Sequence, residues 1–195
     1  MSSLSGRPIR ADARRNEAHI LDCTAELIAV NPSATLEQIA MRAGVSRVTL
    51  HARFRSRNAL MDALTDRSVT EVTAALAAAR PEEGPAGEAL ERVLVAAWET
   101  IGRYRGLVIV NQRLDPAVLR ARLGPAIAPL LPLIRRGQQA GEFDPELPVQ
   151  WLLTVMLDLI HAASRQVSTG AMDPHAAQTA LLRTAAAALS AHPAR

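Results

Sequence analysis

Apolar residues recur along this chain at intervals of three and four, with almost no strict alternation, which is the pattern of amphipathic helices rather than strands. Ile20, Thr24 and Leu27, flanked by Leu21, Ala25 and Ile28, form one such stripe. They predict a first helix from about Asp12, as N-cap, to Val30, where Asn31-Pro32 stops it. Thr35 followed by Gln38 has the spacing of a capping box, so a short second helix starts at Leu36 with Ile39, Ala40 and Ala43 inward. Gly44 turns the chain. Ser46 then caps a third helix with Leu50 and Phe54 on one face, and Ser56 caps a fourth that runs toward Ala79. The fourth helix carries Leu60 and Leu64 early and Val69, Val72 and Leu76 later on a different face, which predicts packing against both a head and a body.

Beyond a Pro/Gly/Glu connector from Arg80 to Gly87, Glu88 to Arg103 reads as a helix with Leu90, Leu94, Ala97, Trp98 and Ile101 inward. Its outer face offers the i, i+4 pairs Glu88–Arg92 and Glu99–Arg103. Asp-Pro dipeptides at Asp115, Asp144 and Asp173 each predict an N-cap followed by a first-turn proline. Their even spacing of 29 residues raises a solenoid, which fails because no consensus recurs beyond caps and apolar phase. Pro129 and Pro132 predict a kink or a late start in the helix expected from Pro125 to Ala140. Val149 to Val167 is apolar around most of its circumference and carries one polar stripe, Thr154, Asp158, His161 and Arg165; an Ala-rich helix from Ala176 to Leu189 ends the series. Aromatics are only 3% of the chain and Val108-Ile109-Val110 is its one β-branched cluster. The fold class is therefore all-α, with about nine helices: a three-helix helix-turn-helix domain over residues 1–56, including an N-terminal arm, and a larger C-terminal helical domain over 57–195.

Charge sharpens this division. Through Arg57 the chain has nine Arg against five acidic residues, and from Met41 to Arg57 five Arg and no acid; from Asn58 onward there are 13 Arg and 14 acids. A basic head on a nearly neutral body points to a polyanionic partner for the head alone. All 22 basic residues are Arg, the side chain suited to phosphate and guanine forks. No apolar run reaches the roughly 18 to 20 residues needed to cross a bilayer. The polar, Arg-rich start shows no secretory signal and the lone Cys23 can form no internal disulfide, so a cytoplasmic protein is expected.

Two helices joined by a short Gly turn, the second rich in exposed polar and basic residues, describe a helix-turn-helix whose second helix enters the major groove of double-stranded DNA. Arg47 and Val48, in the first turn of that helix, are the expected base contacts: Arg47 can fork to guanine and Val48 can pack on a thymine methyl. Thr35, Thr49, His51, Arg53 and Arg57 stand where donors reach phosphates. Arg7 and Arg10 precede the first helix and could reach a minor groove as an arm or form an untethered tail.

The stretch from about Arg14 to Leu64, above all Thr35 to Leu50 with Phe54, Ser56-Arg57 and Leu60, resembles the TetR family of bacterial transcriptional regulators. The resemblance rests on the family pattern of a T-x-x-x-I-A-x-x-A-G-V-S-x-x-T-L-Y core followed by a Y/H-F-x-S-K-x-x-L segment. Three positions depart from it: His51 stands where the family usually has a phosphate-contacting Tyr, Arg53 replaces a Tyr or His, and Arg57 replaces a Lys. Arg135 to Phe143 resembles a family stretch that closes a later helix. The resemblance implies a homodimer joined through its last two helices. It also implies a repressor that leaves a pseudo-palindromic operator when a small molecule binds the C-terminal domain.

The body's residues leave two readings of the polar stripe, a pocket wall or a solvent strip. Asp158, His161 and Arg165, with Trp98, Tyr104, Asn111, Gln112 and Trp151, are the ligand-binding candidates, since apolar walls with a few polar groups suit small molecules. No metal or cofactor is expected. An enzyme would need a nucleophile with a base, paired carboxylates or metal-ligand spacing, and none is visible. A ligand-dependent activator, or an interaction module keeping a helix-turn-helix shape without binding DNA, uses the same residues.

Overall fold

The computed structural model describes residues 6–111 and 116–191, with side chains described from Asp12 onward except those of 112–117 and 119–120. The described residues form ten helices: α1 (Gly6–Val30), α2 (Leu36–Arg42), α3 (Arg47–Arg53), α4 (Arg57–Ala78), α5 (Ala86–Arg103), α6 (Arg105–Asn111), α7 (Pro116–Ile127), α8 (Leu130–Gln139), α9 (Val149–Ser168) and α10 (Pro174–Leu189). No strand occurs among them; one isolated bridge pairs Phe143 with Ser190.

The head is built by local capping chemistry. Thr35 Oγ1 accepts from the Gln38 amide at 3.3 Å while Gln38 Oε1 accepts from the Thr35 amide at 2.9 Å, a closed capping box. Ser46 accepts from the Thr49 amide at 3.0 Å and Ser56 from the Ala59 amide at 3.1 Å. Gly44 sits at φ +64°, a conformation that costs other residues a Cβ clash, and this lets α3 follow α2 after a short turn. Ile20, Ile28, Ile39, Leu50, Leu60 and Leu64 fill the small core beneath.

Two observations differ from the sequence expectation for the head. α1 begins at Gly6 rather than near Asp12, which lies within the helix and pairs with Arg15 of the next turn. Arg7 and Arg10 are thus part of the α1 backbone. The core also recruits Tyr104 and Leu107 from the end of α5 and from α6, so the body reaches into the head's packing.

The body's core gathers Leu76 from α4, Leu90, Val93, Leu94 and Trp98 from α5, Leu133 and Ile134 from α8, Leu152, Met156 and Ile160 from α9 and Leu181 and Leu189 from α10. As its two-faced pattern predicts, α4 places Leu60 and Leu64 in the head core and Leu76 in the body core. The helix expected from Pro125 to Ala140 is two helices: α7 carries Pro125 inside it, and the break falls at Pro129, which precedes α8 and has no amide proton to continue the ladder. Asp173 caps α10, accepting from the His175 and Ala176 amides at 2.9 Å. Asp144 caps no helix; it accepts from the Glu146 amide at 2.9 Å in a turn, and α9 starts only after Pro148. The expected surface pairs of α5 are replaced by longer-range contacts. Arg92 donates to the carbonyls of Ala79, Arg80 and Glu83, and Arg103 pairs with Glu71 of α4 at 2.9 Å.

The α8–α9 connection fastens the loop between α4 and α5. Gly137 lets the Phe143 ring lie where a Cβ would be, 2.1 Å from its Cδ2. Glu142 then accepts from the amides of Ala86 and Gly87 at 2.9 and 2.7 Å, capping α5. Those amide bonds, Gly87 first, hold its carboxyl below the usual range. Arg136 donates to the carbonyls of Pro81, at 2.7 Å, and Gly84.

Candidate functional site

Capping leaves α3 with one face turned into the head core through Leu50, with Phe54 just beyond it, and the other outward. Arg47, Val48, Thr49, His51 and Arg53 are all exposed on it, and Val48 is 80% exposed, a large apolar side chain held in water. Thr49 Oγ1 lies 2.8 Å from Ser46 Oγ. Thr35 is exposed at the start of α2. Arg57 is set apart from this group. Its Nε donates to Ala34 O at 2.9 Å and its Nη2 to Pro32 O at 2.6 Å, so its guanidinium holds the α1–α2 turn against the start of α4.

Sequence reasoning missed one residue at this face. Glu37, in the first turn of α2, forms an ion pair with Arg47. An acid in a first turn is ordinary, and only the crossing of α2 and α3 brings it to the reading helix.

The body encloses a cavity of about 280 Å³ between α4, α5, α6, α7 and α9. Val72, Ile101, Leu107, Ile127, Met156 and Ile160 give it apolar walls. Of the ligand candidates, Tyr104, Asn111, Asp158, His161 and Arg165 line it. Trp98 is buried outside the lining, with the Arg105 guanidinium 5.8 Å from its ring centre. Trp151 is 56% exposed on α9, and Gln112 lies outside the described residues. Thr154 is exposed and donates to Gln150 O at 2.9 Å, so the polar stripe divides: its last three members meet the cavity and its first does not. Burial pushes the His161 imidazole below its ordinary value, with Arg165 adding to the effect and Asp158 opposing it, so the ring facing the cavity is neutral near pH 7.

A group of polar side chains lies between this cavity and the head. Burial raises the Tyr104 phenol to about 12, assisted by the neighbouring Glu71 carboxylate. Burial alone would raise Glu71, yet the Arg67 bond, the nearby Tyr104 phenol and the Arg103 charge outweigh it and lower its carboxyl. Arg67 Nε donates to Glu71 at 3.0 Å, its Nη1 to Ala18 O at 3.1 Å, and its Nη2 pairs with Asp22, the last two on α1.

Among the described residues no helix is long and apolar enough to cross a membrane, and no group of three or more His, Cys, Asp or Glu could hold a metal ion. The family profile described as "Bacterial regulatory proteins, tetR family" matches residues 20–64, from the last three turns of α1 to the first two turns of α4. The HTH-type transcriptional repressor LfrR of Mycolicibacterium smegmatis is 28% identical over 168 residues, 83% of this chain and 85% of that protein. The crystal structure of the TetR-like regulator LfrR from Mycobacterium smegmatis in complex with proflavine superposes with a TM-score of 0.72 at 25% identity, over 92% of this chain and 99% of that one. Residues 20–64 thus resemble the helix-turn-helix of the TetR family, and the chain takes the TetR fold. The TetR fold accounts for both halves, since the likeness extends far beyond the profile's residues. The HTH-type transcriptional regulator NfxB of Pseudomonas aeruginosa is a second relative, 28% identical over 149 residues, 75% of this chain and 79% of its own. The ketosteroid regulator KstR2 of Mycobacterium tuberculosis shares the TetR fold with a TM-score of 0.70 at 18% identity, over 90% of this chain and 95% of that one. The relatives that this chain resembles are transcriptional regulators with a DNA-binding helix-turn-helix.

Proposed function

We propose that the chain is a repressor that binds a pseudo-palindromic operator as a homodimer and leaves it when a small molecule enters the cavity. The observation that carries this reading is Arg67 of α4, which bonds Glu71 beside the cavity-lining Tyr104 and reaches Ala18 and Asp22 on the first helix of the head. In it, residues 1–56 are the reading domain and 57–195 the ligand and dimer domain.

Arg47 and Val48 contact base edges, while Thr35, Thr49, His51 and Arg53 contact phosphates. Arg57 serves the head by holding the α1–α2 turn. The two recognition helices of the dimer enter successive major grooves about one helical turn apart, ~34 Å. The dimer forms through α9 and α10, where Trp151 is exposed and Ala180, Ala186 and Ala187 leave a small-residue surface for close approach. The protein works in the cytoplasm, on the nucleoid when bound to DNA.

The ligand is a small, largely apolar molecule with a polar group that meets Asp158, Asn111 or neutral His161. The complex of LfrR with proflavine supports a ligand of that kind. Occupancy shifts α6 and α4 and changes the spacing of the heads, a coupling of about 1 to 3 kcal/mol. The test is selection of bound duplexes from a random library, followed by a salt titration on the winner. A pseudo-palindrome with a steep negative slope is expected. A folded dimer that enriches no sequence overturns the reading.

A further inference from the structure

We propose that Glu37 is a specificity-determining residue: it positions the Arg47 guanidinium for a guanine edge and keeps it from the phosphates. This rests on the reading that the head binds duplex DNA.

The placement of acids in the head motivates it. Asp12 pairs with Arg15, Asp22 with Arg67 and Glu26 with Arg42 at 2.7 Å, all from α1. Met41 to Arg57 contains no acid. Glu37 therefore brings a carboxylate from α2 to a recognition helix that supplies only cations. It meets Arg47 across the turn, and the two side chains keep 50% and 68% of their surface in water, so the pair stands on the outer side of the head and not in its core.

The chemistry of the guanidinium makes this arrangement useful. It has five N–H donors in a planar fork, and a guanine edge occupies two of them. A carboxylate on another edge fixes the plane and leaves the guanine-directed donors free. A carboxylate also repels phosphate oxygens. On a duplex lacking the right base, Arg47 can reach a phosphate only by leaving Glu37 next to the same negative backbone, so non-specific binding is weakened. With guanine in place, Arg47 keeps both partners. Glu37 thus acts mainly by lowering affinity for wrong sequences.

The experiment compares the full-length wild type with Glu37→Gln, Arg47→Ala and the double variant. Each undergoes duplex selection, then salt titration on the selected site and on a scrambled duplex. Glu37→Gln should bind the scrambled duplex more tightly, with a salt slope steeper by about one as Arg47 takes a phosphate. Guanine preference at one operator position should fall by about five-fold or more. In the Arg47→Ala background, Glu37→Gln should change neither the base preference at that position nor that slope. An unchanged guanine preference and slope, or the same change with and without Arg47, overturns the proposal and leaves Glu37 as an acid at a helix start, visible only in the thermal midpoint. If the wild type itself selects no site, the DNA-reading proposal falls and this inference with it.

Discussion

Gly106 in α6 lies so close to Ile28 in α1 that a Cβ on it would sit 2.3 Å from the Ile28 carbonyl carbon and oxygen. Glycine here sets the distance between body and head, because backbone cannot move aside as a side-chain tip can. Gly106→Ala must push α6 away from α1 and expose part of the contact made by Leu107. The expected loss is about 1 to 3 kcal/mol, measured from urea midpoints. An unchanged midpoint would show that the two helices separate without cost.

Tyr104 is the only tyrosine in the chain, so its ionisation can be followed by ultraviolet absorbance without overlap. The native protein should show a midpoint near pH 12, against about 10 for the unfolded chain. The folded value is the higher one, so this group's contribution to stability is complete below pH ~10 and is lost as pH rises through the native value. Glu71→Gln, which removes the carboxylate acceptor, should lower the native midpoint. A native midpoint near 10 would mean that the phenol is open to water and carries nothing to Glu71.

His161 gives the opposite dependence. Its folded value lies below its ordinary one, so the unfolded chain takes up the proton first and stability falls as pH drops below about 6.5. His161→Gln should flatten the acid side of the stability curve in urea titrations between pH 7 and 5. An equal acid slope in both proteins would place the sensitivity elsewhere.

What the sequence makes legible is what is encoded locally. The capping box at Thr35, the caps at Ser46 and Ser56 and the glycine at 44 each act within four residues, and the structure places them as read. The α6 helix was not foreseen, because Val108-Ile109-Val110 is β-branched and the segment is only seven residues long. Packing of Gly106 and Leu107 against α1 overrides that preference. Arg67, Glu71 and Glu37 escaped notice for a different reason. Their partners are contributed by other helices, and the partner of Arg67 on α1 is 45 residues away. Within the polar stripe of α9, helical periodicity aligned four residues, but it could not tell that the cavity ends before Thr154.

Arg57 separates a structural role from a contact role. Arg57→Ala removes two charge-assisted bonds to the Ala34 and Pro32 carbonyls, and the expected cost is about 2 kcal/mol in a denaturant titration. The salt slope of operator binding should stay unchanged. A slope lower by about one would return the residue to the phosphate backbone.

The fastening of the α4–α5 loop by Arg136 and Glu142 gives α4 a pivot at one end. Its 22 residues make a rod of ~33 Å whose other end carries Leu60 and Leu64 in the head core. A rod of that length turning by ~6° about its fixed end carries the free end ~3.5 Å, about the rise of one base pair in a helical turn of 34–36 Å and 10–10.5 pairs. Because that pivot is made of side-chain bonds to backbone rather than of a flexible linker, a cavity that widens by the thickness of a single aromatic ring is geometrically sufficient, in the proposed dimer, to put two heads out of step with the DNA.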